Sequence, residues 1–535
     1  MDAVTLEILR CSLQSVAEEM GATLGRTAFS PNIKERKDFS CAIFDSKGRM
    51  VSQAEHIPVH LGSMPLSVKE ALKEFTLEEG DAIILNDPYW GGTHLPDITL
   101  VTPVFSKELL GFAACRAHHA DVGGKVPGSM PGDSREVFEE GIIIPPVKLY
   151  QKGELDTDIL KFILRNVRTP DERKGDLKAQ VSACEIGKRR IKELSSKYGK
   201  EMIAESFNEV MDYSERRMRK KIKEFPAGEY SAEDFMDNDG IIDEPVKIAV
   251  TVTVNDGLHF DFTGTDSQRP GNINAVYAVT LSCVYYTVRC VTDPEIPPNG
   301  GCYRPVTVTA PEGCLLNPVH PHAVSAGNVE TSQRVVDVLL RVFARIVPEK
   351  VIAGCQGTMN NVTIGGSVNG KSFAYYETIG GGMGARYNKD GIDGAHTHMS
   401  NTLNTPIEAL EMTYPFLVTE YSLISDSGGK GKYRGGLGIV RSIKVLTDCT
   451  VSIQSERRKF APYGLFGGEN GRKGRNVLIR NGEIVELPSK TTYQLLKNDI
   501  IRIETPGGGG YGNSEERFQI LEEKDLIEGR VISRK

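Results

Sequence analysis

The stretch Asn86 to Gly124, NDPYWGGTHLPDITLVTPVFSKELLGFAACRAHHADVGG, gathers imidazole and carboxylate groups at spacings that suit a metal site. His94 and Asp97 stand close together, but the intervening Pro96 pushes Leu95 toward extended backbone, so the pair belongs to a loop and not to one face of a helix. The apolar runs Ile98 to Phe105 and Leu109 to Arg116, divided by Ser106-Lys107-Glu108, predict a β-hairpin that brings its two ends together. Beyond it the chain reads Ala117-His118-His119-Ala120-Asp121. If extended geometry persists there, His119 and Asp121 share one face and His118 takes the other. The expected ligand set is therefore His94, Asp97 and His119, with Asp121 beside them. Such a nitrogen and oxygen set suits Zn, Mn or Fe(II) with positions left open for water or substrate. The competing reading is a group of hydrogen-bonded loop histidines, because no fixed-spacing motif such as HExxH is present. Sequence leaves open whether His118 or His119 is the ligand.

A second constellation runs from Asp393 to Asn401. His396 and His398 share a face if extended, and with Asn401 and Glu408 they would surround a polar substrate or form a second metal site; structural histidines are the alternative. His56 and His60 are separated by Pro58, which argues against one helical face. The polar turn Ala326 to Arg334 precedes an apolar helix, Val335 to Ile346. Its free N–H groups make it a candidate substrate cradle, with ordinary capping as the competing account. Glycine clusters at Gly380–Gly384, Gly428–Gly436 and Gly507–Gly510 permit close backbone approach. None has the GxxxxGK[ST] form or a strand-GxGxxG-helix context, so no ATP site of a common kind is expected.

These groups need a large frame. The chain has 535 residues, 64 basic and 71 acidic, for a net charge of −7, which argues against a general binder of nucleic acid or membrane surfaces. No signal peptide opens it and no apolar run reaches transmembrane length, so a cytoplasmic protein is expected. Its 10 cysteines form no CxxC pair, which fits buried thiols. Residues 4–24 carry apolar positions at helical period. Ser40 to Gln53 reads as a hairpin around Asp45-Ser46-Lys47-Gly48, and Ser67 to Phe75 as a capped helix. A loop-rich stretch to Pro146 gives way to charged helices such as Ile191 to Tyr198 and Phe207 to Ile222. Strands return at Val246 to Val254 and Leu258 to Phe262, a buried helix carries Tyr285 and Tyr286, and short strands dominate from Val362. The expected fold is multidomain α+β, with mixed sheets, an N-terminal helix, a central helical segment and a β-rich, glycine-rich C-terminal half. Boundaries are expected at 1–150, 151–226, 227–361 and 362–535.

Six ordered segments then carry a resemblance: QAEHIPVHLGSMP (Gln53 to Pro65), NDPYWGGTHLPD (Asn86 to Asp97), AHHADVGG (Ala117 to Gly124), GNVETSQR (Gly327 to Arg334), the His396 segment with NTPIEALE, and TPGGGGYG near the C-terminus. Together they resemble the B subunit of the N-methylhydantoinase family, whose relatives include the C-terminal part of 5-oxoprolinase and subunits of acetone and acetophenone carboxylases. The resemblance implies an actin-like A subunit that binds ATP and activates a substrate carbonyl by phosphorylation. It implies a hetero-oligomer that opens a five-membered cyclic amide. It also implies a metal at His94, Asp97 and His119, matching the family's His-x-x-Asp and later His. In that reading Asp121 orients a ligand or acts as base, and His118, His396 and His398 join it as catalytic candidates. His60, Glu330, Arg334 and Asn401 bind substrate, Arg334 being suited to a carboxylate or phosphate. One alternative is a ketone carboxylase subunit; another is a non-catalytic scaffold for the A subunit.

Overall fold

The computed structural model describes residues 1–54 and 56–533; Glu55, within the Gln53 to Pro65 motif, lies outside the described residues. Helix α1 (Ala3–Thr27) starts at Asp2, whose carboxylate accepts from Val4 and Thr5 N–H, and buries Leu9, Leu13, Val16, Met20 and Leu24 along one stripe. A short turn α2 (Pro31–Lys34) leads to the hairpin of β1 (Phe39–Asp45) and β2 (Met50–Ala54). Helix α3 (Ser63–Glu74) begins before the expected Ser67 and has no side-chain cap. Pro65 is tolerated there because the first-turn N–H groups have no intrahelical partner anyway.

Strands β3 (Ala82–Leu85), β4 (Asp97–Ser106), β5 (Glu108–His118), β6 (Val147–Gln151) and β7 (Glu154–Leu155) complete a seven-stranded antiparallel sheet in the order β2-β1-β5-β4-β3-β6-β7. After α4 (Thr157–Arg165), the long helix α5 (Pro170–Tyr198) packs against α1 and crosses β4 and β5. That cover explains why β4 and β5 are buried on both faces and read as continuous apolar runs. The charged helix α6 (Lys200–Ile222) follows.

A second sheet joins β8 (Gly228–Met236), β9 (Val246–Val254), β10 (Leu258–Asp261) and, after helix α7 (Tyr277–Val291), β11 (Val306–Thr309). Strand β9 alternates buried and half-buried residues as its sequence predicts. Helix α8 (Ser332–Phe343) packs on α7, β8 and β9 and is entered through a π-helical turn, Gly327–Thr331. One apolar core joins these parts to the first sheet.

The C-terminal part carries its own core between two sheets. One contains β12 (Asn361–Val368) and β13 (Lys371–Glu377). Beyond α9 (Ile407–Thr413), the other begins with β14 (Phe416–Leu423) and β15 (Ile439–Val445). Strands β16 (Cys449–Gln454) and β19 (Lys490–Leu495) extend the first, whereas β17 (Arg475–Arg480), β18 (Glu483–Leu487) and β20 (Ile500–Glu504) extend the second. The short helix α10 (Gln519–Ile527) follows. The glycine clusters pack backbone to backbone: a Cβ on Gly508 would lie 2.1 Å from the Met383 carbonyl oxygen. The fold is the expected α+β with several sheets and an N-terminal helix. Among the described residues no helix is long and apolar enough to cross a membrane.

Candidate metal centre

Asp97 opens β4 and faces His118, the last residue of β5, across the final pair of their ladder. Directly opposed residues share a face, so the carboxylate and the imidazole project together. His94 comes from the loop before β4, and His60 from a turn, Pro58–His60, that packs on α7. The four side chains are fully buried. His94 Nε2 lies 3.4 Å and His60 Nε2 3.5 Å from Asp97 Oδ2, while His118 Nδ1 lies 3.6 Å from Asp97 Oδ1. Donor atoms of His94, Asp97 and His118 all fall within 4.8 Å of one another, a spread that one cation spans.

Electrostatics favour ligand forms. Burial pushes the Asp97 carboxyl up, but His94 and His60 more than offset it and hold Asp97 well below the ordinary carboxylate range. Burial, then His94, drives His118 well below the usual imidazole value; burial also lowers His60. Anionic carboxylate beside neutral imidazole is the state a divalent metal requires. His94 Nδ1, His60 Nε2 and His118 Nε2 are buried without a hydrogen-bond partner, and Asn328 from the π-helical turn donates to His94 Nε2 at 3.1 Å. Thr93 Oγ1 donates to Asp97, Ser40 lies 2.9 Å from His60 Nδ1, and Tyr376 stacks on His118 with centroids 4.3 Å apart. These groups fit a metal. The adjoining cavity is about 20 Å³, enough for an ion or one water, and is lined also by Asp38, Val329, Met359 and Thr402.

The expected placement of His119 in this group is corrected. Counted outward from Lys107, a regular hairpin would set Asp97 opposite Ala117 and on the face of His119. The observed register shifts between Val104 and Phe105, with Val104 opposite Gly111 and Phe105 opposite Leu109, so Leu110 is an extra residue. A one-residue slip exchanges the faces, which brings His118 to Asp97 and turns His119 away. His119 Nε2 instead meets Gln180 Oε1 of α5 at 2.9 Å.

A family model described as hydantoinase B/oxoprolinase matches residues 2–514. The chain belongs to the hydantoinase B/oxoprolinase family. It is 47% identical over 538 residues to an uncharacterized protein of Methanocaldococcus jannaschii, covering 99% of this chain and 94% of that one. It is 41% identical over 544 residues to 5-oxoprolinase 1 of Arabidopsis thaliana, covering 96% of this chain but 42% of that enzyme, and three further 5-oxoprolinases are matched over a similar part of their length. The B subunit of a putative D-/L-hydantoinase from a Pseudomonas strain is 35% identical, with 100% of this chain and 94% of that one covered. Among solved structures, the ATP-dependent caprolactamase of Pseudomonas jessenii superposes with TM-score 0.93 at 30% identity, covering 99% of this chain and 94% of that one. Acetone carboxylase shares the fold, with TM-score 0.93 at 20% identity over 100% of this chain and 78% of that one.

In this hydantoinase B-type chain several expected site residues stand elsewhere. Asp121 accepts from the N–H groups of Gly123, Gly128 and Arg168 and from the Arg168 guanidinium, so its oxygens organise a loop. His396 and His398 do not share an extended face: His398 has φ 55°, and its Nε2 lies 3.1 Å from Asp337 Oδ1, whereas His396 Nδ1 contacts Ser400 Oγ at 3.0 Å. Asn401 is exposed and donates to the His56 carbonyl. Arg334 donates to the Phe235 carbonyl and to Glu456, an internal ion pair that leaves it no outward role. Glu330 accepts from Met359 N–H and Asn361, behind the cavity wall. Of the proposed substrate-binding residues only His60 lines the cavity, joined by Met399 and Ser400 from the second constellation and by Thr402 just beyond it. Asp38, Asn328 and Tyr376 were not anticipated. Asn328 lies within GNVETSQR and was the nearest to being found; Asp38 and Tyr376 carry no local signal.

Proposed function

We propose that the chain is the B-type subunit of an ATP-dependent cyclic-amide hydrolase, with a divalent metal held by His94, Asp97 and His118. The observation that carries this reading is the buried group of His94, Asp97 and His118, with ligand atoms within 4.8 Å of one another beside a cavity of about 20 Å³. Membership of the hydantoinase B/oxoprolinase family and likeness to an ATP-dependent caprolactamase support the substrate class. When bound, the metal supplies Lewis acidity toward a carbonyl oxygen or a water. Asn328 and Thr93 orient His94 and Asp97 through their hydrogen bonds, and Tyr376 fixes the His118 ring. Asp38, whose carboxyl burial pushes up to about 7 against the nearby Arg36, has Oδ2 3.9 Å from His118 Nδ1 and can exchange a proton there near neutrality. Val329, Met359 and Met399 exclude bulk water. A lactam ring exceeds the present cavity, so these walls must part for substrate.

Carbonyl activation by ATP belongs to a partner A-type subunit, in keeping with the absence of a common nucleotide motif here. The test is reconstitution. Ring opening of 5-oxoproline, hydantoin or a related lactam is expected only with the A-type subunit, ATP and metal. Lactam hydrolysis by the isolated chain without ATP would overturn the reading, and product formation requiring bicarbonate would move it to the carboxylase branch.

A further inference from the structure

We propose that Gln180 is a positioning residue that sets the separation of Asp97 and His118, an inference that rests on the metal reading above. Gln180 projects from the middle of α5 and is fully buried. Its Nε2 donates to the Ile98 carbonyl at 2.9 Å, which fixes the orientation of the amide, and its Oε1 therefore accepts from His119 Nε2 at 2.9 Å. Ile98 follows one ligand and His119 follows the other. A single side chain thus ties β4 to β5 just where the two ligands face each other, at the last pair of the ladder.

The other side of the same junction is held from the same helix. Asp176, one turn before Gln180, accepts from Phe29 N–H at 2.8 Å and Ser30 N–H at 3.0 Å. Ser30 caps α2, and Asn32 of α2 donates to the His118 carbonyl at 2.6 Å. Asp176 and Gln180 share a face of α5, so the helix grips both sides of the 118–119 peptide. An apolar residue at 180 would leave the His119 ring Nε2–H buried and unpaired and remove one donor from the Ile98 carbonyl, and the ladder end would shift in response. Metal sites tolerate shifts of only about 0.5 Å in their ligands.

The experiment titrates the full-length chain with Co²⁺ alone, following its visible absorption and competition with a chelator. Gln180→Met is expected to weaken binding about 10- to 100-fold and to shift the absorption bands. Gln180→Glu keeps the acceptor for His119 but opposes the Ile98 carbonyl with a second oxygen, so it should weaken binding to a smaller degree. Leu13→Ala, in a separate apolar cluster, lowers stability and should leave Co²⁺ affinity unchanged. Folded Gln180→Met with affinity within about twofold of wild type overturns the inference; if that variant does not fold, Gln180→Glu is judged by the same limit. Failure of the wild type to bind Co²⁺, Zn²⁺ or Mn²⁺ would instead sink the metal reading itself.

Discussion

His118 and His119 are adjacent and both buried, yet they meet different partners because their rings face opposite sides of the sheet. Elemental analysis should find near-stoichiometric metal in wild type and none in His118→Ala or Asp97→Asn, whereas His119→Ala should keep its ligands and bind no more than about 100-fold more weakly. Retention of full metal by His118→Ala would refute the assignment. A second prediction concerns Glu330, which burial pushes up to about 8 from an ordinary value of 4.5. Between those pH values the folded chain holds a proton that the unfolded chain releases, so this group makes stability fall as pH rises toward 8. His119 and His396, each pushed down to about 4 chiefly by burial, give the opposite slope, but only below pH 6.5. Urea midpoints compared between pH 6.5 and 8 should therefore drop more in wild type than in Glu330→Gln. Equal drops would mean that Glu330 does not titrate in this range.

At the scale of elements, two local irregularities place the site. The extra residue at Leu110 sets which histidine meets Asp97. The π-helical turn at Gly327–Thr331 swings Asn328 onto His94, in keeping with the tendency of such turns to mark functional positions. That turn depends on Gly327, where a Cβ would lie 1.8 Å from the Asn274 carbonyl oxygen. Gly327→Ala is expected to cost about 3 kcal/mol by overpacking and to weaken metal binding as Asn328 is displaced. Urea denaturation and a metal titration check the two parts separately; a stable variant with unchanged affinity would show that the turn has room to adjust.

Across the whole molecule, the two apolar cores are joined by a buried ionic knot. Arg457, beyond β16, donates to Asp337 of α8 at 2.5 Å and to Asp234 of β8 at 3.0 Å, and Asp337 also meets His398. Asp337 is consequently held far below the ordinary carboxylate range, because Arg457 and His398 outweigh the burial that pushes it up. Arg457→Ala would strand a buried carboxylate and should cost about 3–5 kcal/mol, read as a fall in urea midpoint. A change below about 1 kcal/mol would show that the knot contributes little.

Composition, periodicity and six short motifs were enough to give the α+β class, the N-terminal helix, the hairpins and the family, because these depend on local pattern and on residues close in sequence. That His94, Asp97 and His60 stand in proline- and histidine-rich segments was legible for the same reason, although Asp97 opens β4 and does not lie in the loop before it. Sequence did not determine which histidine completes the group, since strand alternation carries no information about a bulge, and one inserted residue reverses every face beyond it. Nor did sequence show that Arg334, Asp121 and His398 lie apart from the His94–Asp97–His118 group. Their chemistry suits catalysis, but distant partners, Glu456, Arg168 and Asp337, consume it. Asp38 and Tyr376 approach His118, and Gln180 meets His119 and Ile98, from separate elements, and only tertiary packing brings such residues together.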